Sequence, residues 1–250
     1  MINPMDMTGR CVVVTGASSG LGRETAILLS QLGCRIILVA RNRERIEETA
    51  LMLDAEGHAI EPFDLSNADE ISRWIKDLAK EYGRFDGVVH SAGIVMTQPI
   101  RDWNAKDCER LMNINLFPCF ALARGFRQKG VHTQPGSLVF IASVAGSRGA
   151  IGLSIYTASK SAIMGITRSL ALELVRDGIR VNAVSPALIL TEAIDPAIDG
   201  IPGYLDNMKA KHPLGLGHPR DVAHAIAFLL AETGRWITGT TLTVDGGYTA

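Results

Sequence analysis

The sequence predicts a doubly wound α/β fold: one parallel sheet, helices on both faces, and a single three-layer domain over residues 1–250. Three observations carry this. Short runs rich in Val and Ile alternate with amphipathic stretches along the whole chain. The apolar runs are near-continuous, as in strands buried on both faces. A glycine-rich turn follows the first such run directly. Right-handed crossovers then wind the chain outward in both directions from the first strand.

The elements follow in order. Cys11–Thr15 (CVVVT) reads as the first buried strand and Arg23–Leu32 as a helix, which Gly33 is placed to end in a left-handed turn. Arg35–Ala40 (RIILVA) reads as the second strand, Glu44–Glu56 as a charged helix, and His58–Phe63 as a weaker strand. Over Ala68–Tyr82, Ile71, Trp74, Ile75, Leu78 and Ala79 fall at helical spacing. Val88–Ser91 is a strand and Asp107–Lys129 a long helix. Pro118 should kink that helix, because its ring removes a hydrogen bond and crowds the preceding turn. Leu138–Ser143 is a strand, Ser159–Arg176 a helix, Arg180–Ser185 a strand, Asp221–Ala231 a helix and Thr240–Val244 the last strand. Asp221, after Pro219, reads as the N-cap ahead of Val222, Ala225, Ile226 and Leu229.

Composition narrows the function class. There are 25 Lys+Arg against 26 Asp+Glu, a formal net charge of −1, so nothing pulls the chain as a whole toward nucleic acid or an anionic membrane. Hydrophobic residues are 47% and charged residues 20%, the composition of a packed domain. The four cysteines lack any CxxC pair and read as buried, reduced thiols; with the six scattered His they form no metal-ligand pattern. The opening MINPMDMTGR has no signal-peptide pattern, and no apolar run is long enough to span a bilayer. The expectation is a cytoplasmic protein with no metal, nucleic-acid or membrane partner.

The first motif that carries chemistry is the turn Thr15-Gly16-Ala-Ser18-Ser19-Gly20-Leu21-Gly22. Here the chain leaves a strand, turns sharply and enters a helix whose N–H groups point outward. Gly16, Gly20 and Gly22 permit the turn and remove Cβ atoms that would block a phosphate. The positive helix end then favours a pyrophosphate. An ordinary glycine-rich turn is the alternative, but the strand before and the helix after are the context a dinucleotide site requires.

The second motif is Tyr156-Thr-Ala-Ser-Lys160, at the start of a helix. Residues four apart share a helix face. An ammonium beside a phenol favours the phenolate and lowers the Tyr pKa from about 10, so the phenol can act as acid or base near neutrality. Upstream, Ser143 ends LVFIAS at the carboxyl edge of the predicted sheet, where ligands bind. Its hydroxyl can donate to a substrate oxygen. Alone, a Tyr and a Lys on one face are packing plus a solvated charge; with the glycine turn they mark a site.

The GxxxGxG spacing, the YxxxK pair and the preceding serine together resemble the short-chain dehydrogenase/reductase family, over about Cys11 to Tyr248. The resemblance implies a Rossmann-type domain and hydride transfer between a nicotinamide and a carbonyl or secondary alcohol. It implies that Tyr156 gives or takes the oxygen proton and that Ser143 polarises the carbonyl. Lys160 would bind the nicotinamide ribose and lower the Tyr156 pKa. Asn115, in MNINLF, would hold a water linking Lys160 to solvent. Asn113 is the nearby competitor, and a local cap or kink role for Asn115 stays open.

Cofactor choice is read at the end of the second strand. Ala40 stands where NAD-preferring members of that family carry Asp, and Arg41 can hold a 2′-phosphate by a charge-assisted bond. NADP(H) is therefore expected over NAD(H). Against this, Ser19 stands where many NADP-preferring members have Lys or Arg, and a solvated helix entry is the other reading of Arg41 and Arg43. Asp64-Leu65 resembles the adenine-contacting site, with a loop cap as the other reading. Ser91, Ala92 and Gly93 leave room for the cofactor ribose, but His90-Ser91 replaces the usual Asn-Asn, so the bonds that pin this strand are in doubt. After Pro186, Ala187 replaces a Gly and requires the turn to avoid positive φ. Ile189 and Thr191 would lie by the nicotinamide amide.

Residues 187–218 resemble the segment that closes over the substrate in that family. Ile94, Val144, Leu153, Ile155, Leu188 and Tyr204 could line an apolar pocket, although such residues also simply pack a lid. The last strand, through Gly247, resembles the region where subunits meet, which implies a homotetramer or dimer. The leading expectation is an NADP(H)-dependent oxidoreductase acting on a small carbonyl/alcohol pair, with a 3-oxoacyl-thioester reductase as one member. The opposing class is a non-catalytic cofactor-binding regulator or scaffold. A sugar-nucleotide epimerase would need a longer chain, and an enoyl reductase a wider Tyr-to-Lys spacing.

Overall fold

The computed structural model describes residues 3–191 and 203–250. The strands are β1 (Cys11–Thr15), β2 (Arg35–Ala40), β3 (Ala59–Pro62), β4 (Phe85–His90), β5 (His132–Ile141), β6 (Ile179–Pro186) and β7 (Thr241–Val244). They form one seven-stranded sheet in the order β3-β2-β1-β4-β5-β6-β7, parallel throughout. The order reverses between β1 and β4, and a crevice must open there at the carboxyl ends of the strands.

The helices are α1 (Gly20–Gln31), α2 (Arg43–Ala50), α3 (Ala68–Tyr82), α4 (Ala105–Asn115), α5 (Phe117–Phe126), α6 (Ser154–Leu174), α7 (Tyr204–Ala210) and α8 (Pro219–Leu230). Successive β1 side chains point to opposite faces and so enter two separate cores. Val13 packs with Ile75 of α3, Leu122 of α5 and Ile163 of α6. Val12 and Val14 pack with Leu29 of α1 and Ile226 of α8. All five β1 residues are therefore buried, which is why CVVVT carries no polar alternation.

Helix α1 ends as Gly33 predicts. Gly33 has φ 87, its N–H donates to the Ser30 carbonyl at 2.9 Å, and the Cys34 N–H reaches the Leu29 carbonyl at 3.0 Å. The long helix expected over Asp107–Lys129 is broken rather than kinked: α4 ends at Asn115 and α5 starts at Phe117. Pro118 sits in the first turn of α5, where no N–H is needed, so it starts a helix instead of bending one. Asp221 is not the N-cap of α8. His218 is, and the Asp221 carboxylate accepts the His218 N–H at 2.8 Å from one turn inside. The helix expected to reach Glu56 stops at Ala50, beyond which Leu51 is 89% exposed and has no surface to pack on. Strand β5 begins at His132, earlier than its apolar run, because His132 pairs with Phe85 of β4 and Gly136 with Ile179 of β6.

Candidate active site

A cavity of about 650 Å³ runs along the carboxyl edge of the sheet at the β1/β4 switch. Its floor is the glycine turn. Gly16 has φ 69, and a Cβ there would sit 2.7 Å from the Ala92 nitrogen. A Cβ on Gly22 would sit 2.2 Å from the Gly16 oxygen, so the first turn of α1 is pressed onto the exit of β1. Gly20 has φ 51 and faces Thr191. Ser19 is the extended N-cap of α1, yet its side chain makes no capping bond. The first-turn N–H groups are thus left to a ligand, where Ser18, Ser19, Gly20 and Leu21 line the cavity. Thr15 and Gly22 stand behind this wall. The residues fit a dinucleotide pyrophosphate.

Arg41 lines the cavity at the end of β2, joined by Asn42 and Arg45, which the sequence reading did not single out. Asn42 caps α2 through the Arg45 N–H at 2.9 Å, which sets Arg45 in the first turn beside Arg41. Asp64 and Leu65 line the same end. Asp64 also accepts the Ser66 N–H at 2.9 Å, so the loop-cap role and the cavity position hold together. Ser91, Ala92 and Gly93 form the wall after β4.

His90 does pin that strand, by a new bond: its Nδ1 lies 2.8 Å from the Thr15 hydroxyl oxygen, tying β4 to β1. Complete burial pushes the imidazole down to about 3, with Lys160 adding to the effect, and its Nε2 has no partner.

At the other end stand Ser143, Tyr156 and Lys160, all lining the cavity. Helix α6 begins at Ser154, so Tyr156 occupies its first turn and Lys160 the next. Ser143 caps a short turn at Val144–Gly146, its oxygen accepting the Ala145 N–H at 3.2 Å. The acidified phenol expected from the sequence is not found. Burial pushes Tyr156 above its ordinary value, and the opposing cause is a hydrogen bond with Ser143. Lys160 lies 5.6 Å from the Tyr156 ring centroid, and its Nζ donates to the Ile141 carbonyl at 2.8 Å. Burial lowers Lys160 to about 8, so the ammonium stays mostly charged at neutrality and loses its charge just above it.

Asn115 lies buried behind the cavity, delivered by the break between α4 and α5. Its Oδ1 accepts the Ile94 N–H at 2.9 Å; its Nδ2 donates to the Ile94 carbonyl at 3.0 Å and the Ser159 hydroxyl at 3.3 Å. With both amide hydrogens engaged, the side chain clamps the Ile94 loop, and the second lone pair of Oδ1 is what it has left for a water.

Pro186, the last residue of β6, and Ile189 and Thr191 beyond it line the cavity. Ala187 does avoid positive φ; among the described non-glycine residues only Ala55 has it. Of the segment 187–218 expected to close over a substrate, residues 192–202 lie outside the described residues. Ile94, Val144, Leu153, Leu188 and Tyr204 line the cavity, whereas Ile155 is buried behind it. Met208 and Tyr248 also line it, and no local signal in the sequence marks them. Cys108 is half-exposed, against the expectation that every thiol is buried. Among the described residues no cluster of three or more His, Cys, Asp or Glu could hold a metal, and no helix is long and apolar enough to cross a membrane.

A family model described as enoyl-(acyl carrier protein) reductase matches residues 16–249. The chain is 34% identical to a 3-oxoacyl-[acyl-carrier-protein] reductase of Rickettsia prowazekii, over 97% of this chain and 98% of that one. It is similar to a solved short-chain dehydrogenase/reductase from Brucella melitensis described as a glucose/ribitol dehydrogenase, with TM-score 0.90, 32% identity and 98% of each chain covered. It also matches a structure from Agrobacterium tumefaciens, assigned as a 2-deoxy-D-gluconate 3-dehydrogenase and solved with bound NADP, with TM-score 0.88, 31% identity and 99% of each chain covered.

Proposed function

We propose that this chain, which belongs to the short-chain dehydrogenase/reductase family, uses NADP(H) to interconvert a small carbonyl compound and its secondary alcohol. Oxidoreduction of alcohols and carbonyls with a nicotinamide cofactor is the family's chemistry; the cofactor choice, the substrate and the residue roles are our reading. The observation that carries it is the convergence of Ser143, Tyr156 and Lys160 on one end of a cavity whose floor is an uncapped glycine-turn helix terminus.

The nicotinamide supplies or accepts the hydride. The Ser18–Leu21 wall would hold the pyrophosphate, with Gly16 and Gly22 allowing its approach and Thr15 supporting the turn. Arg41 would hold the 2′-phosphate, Asp64 and Leu65 the adenine side. Ser91, Ala92 and Gly93 would border the ribose, and Pro186, Ile189 and Thr191 the nicotinamide amide. Lys160 would hold the ribose hydroxyls. Tyr156, whose raised pKa keeps it protonated, is suited to donate its proton to the oxygen of a carbonyl during reduction. Ser143 would donate a hydrogen bond to the same oxygen. The four-residue Tyr-to-Lys spacing supports a carbonyl reaction over the enoyl reduction named in the matching model's description. The free cysteines support a cytoplasmic site. The edge position of β7 and the 92% exposed Trp236 support assembly into a dimer or tetramer.

The test is a screen of ketones, keto-sugars and 3-oxoacyl thioesters with NADPH and with NADH. NADPH-dependent turnover should dominate, and Arg41→Ala should lower kcat/KM for NADPH by about 10- to 100-fold, the worth of a hydrogen bond to a charged group, with little change for NADH. A wild-type preference for NADH would refute the cofactor assignment. Cofactor binding without turnover of any compound would favour the scaffold reading.

A further inference from the structure

We propose that Tyr248 selects the substrate: with Tyr204 it presents two phenol hydroxyls at the reacting end of the cavity, suited to a carbonyl compound that carries hydroxyl groups beside the reacting carbon. The inference rests on the reaction proposed above and names its substrate class.

Tyr248 lies in the last turn of the chain, beyond β7, and lines the cavity with Tyr204 and Met208 of α7. Its position is held from three sides. Asp245 closes the turn: its carboxylate accepts the Gly247 N–H at 3.0 Å, the Thr249 N–H at 2.9 Å and the Thr249 hydroxyl at 2.5 Å. The turn docks on the segment after α7 through the Leu214 N–H, which donates to the Gly246 carbonyl at 3.0 Å. Contact there is close, since a Cβ on Gly247, at φ 87, would sit 3.1 Å from Pro213.

The ring itself is fixed by His212 and Arg148. His212 stacks on it with centroids 4.5 Å and planes 13° apart. The Arg148 guanidinium carbon lies 4.5 Å from the same centroid. Arg148 also donates to the Tyr248 carbonyl at 2.9 Å. Its own N–H is tied to the Val144 carbonyl at 2.9 Å, on the turn that Ser143 caps. One aromatic ring thus joins the Ser143 turn to the segment after α7.

With the ring packed against His212 and Arg148, the Tyr248 hydroxyl is the polar group it has left to offer a ligand. Neither its oxygen nor that of Tyr204 is hydrogen-bonded to another described residue. The two phenols are near enough for Tyr248 to help raise the Tyr204 pKa. An alkyl chain seated there would leave both hydroxyls desolvated and unpaired, whereas a substrate hydroxyl satisfies them. Sites that hydrogen-bond a substrate hydroxyl reject analogues lacking it more strongly than apolar pockets reject an added one.

The experiment compares kcat/KM for hydroxyacetone and dihydroxyacetone with that for butanone, using NADPH. Wild type should favour the hydroxylated compounds by about tenfold or more. Tyr248→Phe keeps the stacked ring, and should shrink the preference by about fivefold, mostly through KM, as loss of one neutral hydrogen bond implies. Tyr204→Phe should shrink the same ratio, which keeps the test standing if the first variant fails to fold. Arg148 is a positioning residue: Arg148→Gln, which takes the guanidinium off the ring, should shrink the ratio through KM for the hydroxylated compounds and leave kcat for butanone little changed. A wild-type enzyme that turns over butanone as well as hydroxyacetone, or a ratio unmoved in both Phe variants, overturns the inference and leaves the reaction standing. No NADPH-dependent turnover of any carbonyl overturns both.

Discussion

Replacing His90 by Asn should remove a specific pH dependence of stability. In the folded protein His90 is held neutral to about 3 by burial, against 6.5 when exposed. Between those values the unfolded chain binds a proton that the folded chain refuses, so stability falls as pH falls. The contribution is complete above 6.5 and lost by about 3. Each pH unit well inside that window is worth about 1.4 kcal/mol; because the unfolded imidazole is only half protonated at its own pKa, acidification from about pH 6.5 to about pH 4.5 should cost roughly 2 kcal/mol through this one side chain. The assay is urea unfolding of wild type and His90→Asn at both pH values. Carboxylates titrate in both proteins, so the difference between the two slopes isolates His90. Asn can still bond the Thr15 hydroxyl that His90 now meets at 2.8 Å. The variant should therefore keep its stability near neutrality and lose less of it in acid. Equal losses in the two proteins would refute the reasoning.

Two further outcomes follow from the same geometry. Gly22→Ala places a methyl 2.2 Å from a backbone oxygen that cannot rotate away, and should destabilise the fold by about 2–4 kcal/mol with weakened nucleotide binding; an unfolding curve identical to wild type would contradict it. Lys160 loses its charge as pH rises through about 8, while Tyr156 stays protonated. Carbonyl reduction should therefore slow on the alkaline side of that value, and a pH–rate profile flat to about pH 10 would show that the ammonium is not required.

Much of this molecule is legible in the sequence where local physics and tertiary structure agree. CVVVT and RIILVA could be read as strands because burial on both faces leaves no polar alternation to confuse the period. Gly33 could be read because a left-handed residue after a helix has few substitutes. Pro118 was ambiguous, since the same missing N–H that damages a helix interior suits a first turn. The start of β5 carries Pro135 and Gly136, and only the pairing of His132 with β4 and of Gly136 with β6 makes it a strand. At the site, the spacing of Tyr156 and Lys160 gave their shared face but not their electrostatics. The acidified phenol required the ammonium to lie against the phenol oxygen, and the Ile141 carbonyl engages that ammonium instead. Asn115 shows the same limit: the motif marks the residue, while its bonds to Ile94 depend on a loop far away in the chain. Tyr248 was invisible because a tail residue acquires its place from Arg148 and His212.

The central claim is that Tyr156 delivers the proton while the nucleotide binds elsewhere in the cavity. It is tested by single-turnover NADPH oxidation, followed by absorbance, in wild type and Tyr156→Phe, with NADPH affinity measured in parallel by fluorescence. The account predicts a rate reduced by at least about 100-fold, at the low end of what a positioned general acid supplies, with affinity changed by less than about threefold. Oxidation at near the wild-type rate in the variant would contradict it.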